Sequence, residues 1–150
     1  MSVLAGDHII VKLDDNGGTL RTFADGDIIS VNVPLTYKQH MVAGFGDEAE
    51  KYINGQLQSP VTIKGYLTTT ADIGTHTVIE SAFANGAQVT LEVEVGNNAT
   101  PTSGDPVFSG EYIIESYKPT LETGSAIQFE AMLKPAVGSG AGVPNWDLIA

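Results

Sequence analysis

Carboxylates are the side chains of this sequence best suited to chemistry. Glu92 and Glu94 stand two apart in Gln88–Val95, Glu111 and Glu115 four apart in Val107–Lys118, and Glu130 sits in Ile127–Lys134. Residues two and four apart on an extended strand share a face, so each run sets its acids on one side. Two carboxylates facing each other across a cleft could act as general acid and as base or nucleophile on a glycosidic bond. These acids instead recur at regular spacing on faces that read as solvated, and few aromatic residues are available for a sugar platform. A charged strand face explains them, and no enzyme is expected.

Other constellations fail on context. Gly44-Phe45-Gly46-Asp47-Glu48-Ala49 fits the spacing of a dinucleotide fingerprint. No strand precedes it, and Asp47 and Glu48 would oppose a pyrophosphate. Asp14-Asp15-Asn16-Gly17-Gly18 and Asp25-Gly26-Asp27 lack the spacing and distal glutamate of a calcium loop, and they read as turns. His8, His40 and His76 form no HxH or HxxxH pair, and no nucleophile-elbow motif accompanies them. There is no cysteine, hence no thiolate nucleophile, disulfide or Cys-based zinc site. The expectation is no catalytic residue, no cofactor and no metal.

Composition narrows the class. The 150 residues fit one domain, a length that buries roughly 70% of the unfolded surface. Val, Ile, Thr and Gly are plentiful and a leucine-rich helical composition is missing, which points to a β-rich chain. With 18 acidic and 7 basic residues the formal charge is −11, the wrong sign for binding nucleic acid or anionic membranes through counterion release. No run reaches the ~20 apolar residues of a membrane span. Met1–Asp7 has neither the charged nor the apolar region of a secretory leader, so none is expected.

The elements that carry the acids read as follows. His8–Leu13, Thr19–Phe23 and Ile28–Val33 alternate as strands, separated by turn signals and stopped by Pro34. From Leu35 to Ser59 no period holds, which predicts a long inter-strand loop with a function or a partner. Val61–Leu67 resumes strand character. Asp72–Asn85 is expected to be a helix capped by Thr70 or Asp72, with Ile73, Thr77, Ile79, Ala82 and Phe83 on its apolar side, ending at Gly86. In Gln88–Val95, Val89, Leu91, Val93 and Val95 point inward. In the last two strands, Phe108, Tyr112 and Ile114, then Ile127, Phe129, Ala131 and Leu133, do the same. Residues 1–134 form the expected domain, and 135–150 a flexible C-terminal arm whose Trp146, Leu148 and Ile149 dock either on its own domain or on a neighbour.

This order of elements resembles that of the major tail tube proteins of long-tailed bacteriophages, a fold shared with contractile-tail tubes and the tube of type VI secretion. The resemblance rests on Phe23-Ala24-Asp25-Gly26-Asp27 leading into a strand ended by Pro34, the long loop, and Pro60–Leu67. It continues through the short helix Thr77–Phe83 and through Val107–Tyr117. The 150 residues hold no immunoglobulin-like domain of the kind that some tail tube proteins append, so no surface-decoration role is expected.

The resemblance implies a mainly β, antiparallel sandwich or barrel-like subunit with one flanking helix. It also implies stacked hexameric rings, a lumen that passes double-stranded DNA without binding it, and partners such as tape measure, terminator and distal tail proteins. The location implied is the virion tail, assembled in a host cytoplasm. Glu92, Glu94, Glu111, Glu115 and Glu130 become candidates for an electronegative lumen wall. Phe45, Asp47, Glu48, Tyr52, Trp146, Leu148 and Ile149 become candidates for contacts between subunits. A ring-forming terminator or distal tail protein is the alternative, and a small β-sandwich binding module ranks below it.

Overall fold

The computed structural model of the chain describes residues 8–15, 18–24, 26–46, 48–86, 88–96, 102–136 and 144–149. Strand follows strand as β1 (His8–Asp14), β2 (Leu20–Thr22), β3 (Ile28–Asn32), β4 (Thr36–Met41), β5 (Tyr52–Gln58) and β6 (Val61–Tyr66). The helix α1 (Thr75–Asn85) precedes β7 (Gln88–Gly96), β8 (Pro106–Thr120), β9 (Gln128–Pro135) and β10 (Asn145–Leu148). Asn16, Gly17, Asp25, Asp47, residues 137–143 and Ala150 belong to the sequence expectations above but lie outside the described residues.

One antiparallel sheet runs β2-β1-β7-β8-β9-β6-β3, with β10 added along β8. The alternation in β7 and β9 places Val89, Leu91, Val93, Phe129, Ala131 and Leu133 in the core. Val11 and Leu13 of β1, Val61 and Ile63 of β6, and Phe108 and Tyr112 of β8 complete that face.

β8 is long enough to serve two halves of the sheet. Its first half pairs β7 and β10, and its second half pairs β9. The register shifts between Ile114 and Ser116, so a bulge at Glu115 lets Tyr117 follow Ile114 onto the core side. The sheet also curls. The Phe23 amide donates to the Val11 carbonyl of β1 (3.0 Å), and the Tyr66 amide of β6 donates to the Asp27 carbonyl (2.8 Å). Phe23 and Asp27 are four residues apart, so strands from opposite ends of the sheet come within about 14 Å. The sheet nonetheless stays open, so of the two forms expected, sandwich or barrel-like, it is not a closed barrel. Gly65 permits this approach, because a Cβ there would lie 2.3 Å from the Asp27 carbonyl oxygen.

The helix differs in detail from the expectation. It starts at Thr75, neither Thr70 nor Asp72 caps it, and its N-cap is Gly74, which has no side chain. The missing cap is supplied from a distance. The Thr75 amide donates to Thr68 Oγ1 (2.9 Å), which donates to Asp27 Oδ2 (3.1 Å), while the Thr75 hydroxyl donates to the Tyr66 carbonyl (2.7 Å). The buried side is Thr75, Val78, Ile79 and Ala82; Thr77 and Phe83 are exposed. Gly86 closes the helix in the left-handed conformation, as expected.

Residues 35–59 hold the least predictable element. β4 and β5 pair only with each other, as a hairpin outside the main sheet. All six residues of β4 are exposed. With neither face buried, nothing selects an apolar–polar alternation, which is why no period is visible there.

The base of this hairpin is tied to the core by a buried hydrogen bond of 2.9 Å between the hydroxyls of Ser59 and Tyr112. Burial pushes the Tyr112 phenol up from its ordinary pKa, so it stays protonated over the working range. Tyr112→Phe is expected to cost about 1 kcal/mol in urea unfolding by leaving the Ser59 hydroxyl buried and unpaired. Adding Ser59→Ala should recover part of that loss; a strictly additive double-mutant cycle would refute the coupling.

Candidate functional site

The curl of the sheet decides which glutamates share a surface. On the outer face of the first half, cross-strand pairing lines up Glu94 with Val107 and Asp147, Lys12 with Glu92, Ser109 and Asn145, and Thr90 with Glu111. Glu92, Glu94, Glu111 and Asp147 therefore form one acidic patch that contains a single lysine. Glu130 lies elsewhere, flanked in register by Lys118 of β8 and Lys64 of β6. Glu115, at the bulge, forms an exposed ion pair with Lys134 (3.2 Å). Of the five sequence-predicted glutamates, three converge and two sit among lysines on the other flank of the curled sheet.

Within the acidic patch the charges are arranged unequally. Lys12 Nζ donates to Glu94 Oε1 at 3.1 Å, in a half-buried pair. The hydrogen bond with Glu94, then burial, holds the Glu92 carboxyl above the usual carboxylate range. Burial acts upward on Glu94 as well, but hydrogen bonds from Glu92 and Lys12 outweigh it and hold Glu94 low. Glu111 accepts from the Thr90 hydroxyl at 2.6 Å.

A raised carboxyl contributes stability that is fully present below its unfolded pKa and is lost as pH rises through its folded pKa. Ionised Glu92 therefore weakens the fold at neutral pH. Glu94 has the opposite sign: its contribution is present above the unfolded value and disappears as pH falls through its lowered folded pKa. Glu92→Gln is expected to raise the neutral-pH Tm, with the gain vanishing near pH 4, where unfolded glutamates protonate. Thermal unfolding from pH 4 to 8 checks this, and a neutral-pH Tm below that of the parent would refute it.

The hairpin is the second surface. Tyr37, Met41, Val42, Phe45, Tyr52 and Ile53 are all exposed, and Phe45 at its tip is fully so. The Tyr52 hydroxyl donates to Glu50 at 2.8 Å, and this bond raises the phenol's pKa. Glu48 is exposed beside the tip, while Asp47 lies outside the described residues. A cavity of about 600 Å³ opens at the hairpin base between Gln56–Pro60 and Lys134–Ala136.

The chain's last described segment docks on its own domain. β10 pairs antiparallel with the start of β8, Trp146 opposite Phe108, with ring centroids 5.3 Å apart. The Ile149 amide donates to the Asp105 carbonyl (2.9 Å). Trp146 and Leu148 remain exposed on their free sides.

Sequence reasoning missed two features: the basic flank formed by Lys64, Lys118 and Lys134, and the Asp27–Thr68–Thr75 bracket. The only sequence signal for the bracket was the run of threonines ahead of the helix. His8, His40 and His76 fall on β1, β4 and α1, and His76 Nδ1 lies 2.9 Å from the Tyr117 hydroxyl. Among the described residues no group of three His, Asp or Glu is placed to hold a metal ion.

A curled open sheet with, among the described residues, one short helix and a hairpin outside the main sheet defines a protein with the tail-tube fold. The chain matches, over 99% of its length and 100% of the other chain, the tail of an empty gene transfer agent particle determined with C6 symmetry, at TM-score 0.70 and 16% identity. It matches the SPP1 tail tube at TM-score 0.73 and 12% identity, over 99% of its own length and 81% of that chain. The PVC sheath–tube complex of an extracellular contractile injection system matches at TM-score 0.66 and 12% identity, over 98% and 93% of the two chains. No protein-family model matches the chain, and no curated protein matches it by sequence.

Proposed function

We propose that the chain is the structural subunit of a virion tail tube, its copies forming hexameric rings that stack into a conduit for double-stranded DNA. The observation that carries this reading is the likeness, over nearly all of the chain, to tail-tube chains; two of the matched assemblies, the gene transfer agent tail and an anti-feeding prophage baseplate, are described with sixfold symmetry. Two features of the chain support it independently. Among the described residues, β3 and the first half of β1 keep a free edge at the two ends of the open sheet, an arrangement that neighbouring subunits would complete. The β4–β5 hairpin leaves Tyr37, Phe45 and Tyr52 exposed, as an element built for a partner does.

In this reading Glu92, Glu94 and Glu111 supply the electronegative lumen wall, and the passing phosphates are repelled from it. Glu115 and Glu130, partnered by lysines, add little net charge there. Phe45, Asp47, Glu48 and Tyr52 reach the adjacent ring. Trp146, Leu148 and Ile149 contact neighbours with the surface that β10 leaves exposed. Tape measure, terminator and distal tail proteins cap and fill the tube, which is assembled in the host cytoplasm, and no catalytic step is involved.

Negative-stain electron microscopy of the purified chain tests the proposal. Hollow tubes of stacked rings are expected. Single rings that never extend would favour a terminator or distal tail role, and a monodisperse monomer at high concentration would refute the tube reading.

A further inference from the structure

The β4–β5 hairpin presents an exposed aromatic tip, and the cavity at its base is of a size to receive one. Leu57, Pro60, Pro135 and Ala136 give that cavity an apolar lining, Ser59 lines it while hydrogen-bonded to Tyr112, and Lys134 is the one charged residue among the described residues that line it. At about 600 Å³ it accommodates a phenylalanine together with the turn that carries it.

The tip segment Gly44-Phe45-Gly46-Asp47-Glu48-Ala49-Glu50 contains one large apolar side chain and three acids, with no base. Its chemistry complements an apolar pocket with a lysine at the rim. Lys134 is engaged by Glu115, but both side chains are about half exposed, and such pairs exchange readily. A tip cannot enter its own cavity: along β5, Tyr52–Gln58 separates the two by about 20 Å at roughly 3.4 Å per residue.

We infer that the cavity at the hairpin base is the receptor for the hairpin tip of a second copy, with Phe45 seated between Leu57, Pro60 and Pro135 and the tip acids facing Lys134. Donor and receptor lie on different parts of one chain, so the contact is heterologous. Each bound copy offers a fresh tip and a fresh cavity, as an extending polymer requires. The inference rests on the tube reading, and it adds the receiving surface and the chemistry of its occupant.

Absence of cysteine makes the test direct. The variant Ala49→Cys/Ala136→Cys, which keeps Phe45 and the tip acids, is assembled, oxidised and run on a non-reducing gel beside an Ala49→Cys/Leu121→Cys control, whose second site is exposed on the turn after β8. A ladder of covalent dimers and larger species is expected at a yield about tenfold above the control, because docking fixes the two thiols at high effective concentration. Unfolding scans of both variants verify that they retain the fold. Tubes that form without a ladder, or with equal ladders in both variants, overturn the docking and leave the tube reading intact. A chain that forms no tubes and no ladder overturns both.

Discussion

Phe45→Asp is expected to raise the concentration needed for tube formation by at least about tenfold while leaving subunit stability within about 0.5 kcal/mol of the parent. The two halves of this result follow from one observation. Phe45 is fully exposed in the subunit, so the fold loses nothing when it is replaced. Buried in a neighbour, an aromatic anchor typically contributes about 2 kcal/mol or more, and every tenfold in affinity is about 1.4 kcal/mol. Aspartate removes the apolar contact and adds a fourth acid to a tip that already holds Asp47, Glu48 and Glu50. Sedimentation or light scattering against protein concentration measures the first half, and urea unfolding the second. A subunit destabilised by several kcal/mol would show that Phe45 serves its own fold. Unchanged assembly would remove the hairpin tip from the interface.

The same contrast between subunit and assembly explains what the sequence reveals. β7, β8 and β9 are legible because one face of each is buried and the other is not, and burial imposes the two-residue period. Helix and turn boundaries at Pro34 and Gly86 are legible because backbone geometry restricts the residue type. The β4–β5 hairpin has no buried face in the subunit, so its sequence carries no core signal. The bulge at Glu115 exchanges the faces of the residues beyond it, and no residue type announces it. Grouping of the glutamates was beyond the sequence for a different reason. Alternation tells which side of its strand an acid takes, but only the curl of the sheet tells which acids then look the same way. That curl separates Glu92, Glu94 and Glu111 from the lysine-flanked Glu115 and Glu130.

Charge segregation of this kind has a consequence for assembly. The acidic patch holds Glu92, Glu94, Glu111 and Asp147 with Lys12, whereas Lys64, Lys118 and Lys134 gather around the second half of the sheet. On the proposed tube reading, half of the sheet would present negative potential to the lumen while the other half would meet acidic elements of a neighbour, the hairpin tip among them. On the same reading, a chain of net charge −11 that associates with copies of itself would need its few lysines where the copies touch.

Phe108→Ala is expected to be the most damaging single truncation, costing about 3–5 kcal/mol, a large share of the 5–15 kcal/mol available to a typical domain. Phe108 is fully buried, stacks at an angle on Tyr112 with centroids 6.4 Å apart, and meets Trp146 at 5.3 Å. Its removal leaves a cavity where the first half of β8 meets β7, and it also takes away the surface on which β10 rests. The two losses are separable because Trp146 is the only tryptophan of the chain. Its fluorescence reports β10 directly, while circular dichroism reports the sheet. In Phe108→Leu, which keeps most of the volume, circular dichroism should give a near-parental midpoint, and the tryptophan emission should shift to the red because the ring contact is gone. In Phe108→Ala both signals should move. Parental emission from Phe108→Ala in the folded state would mean that backbone pairing to β8 alone holds β10, and the contribution assigned here to the Phe108–Trp146 contact would be wrong.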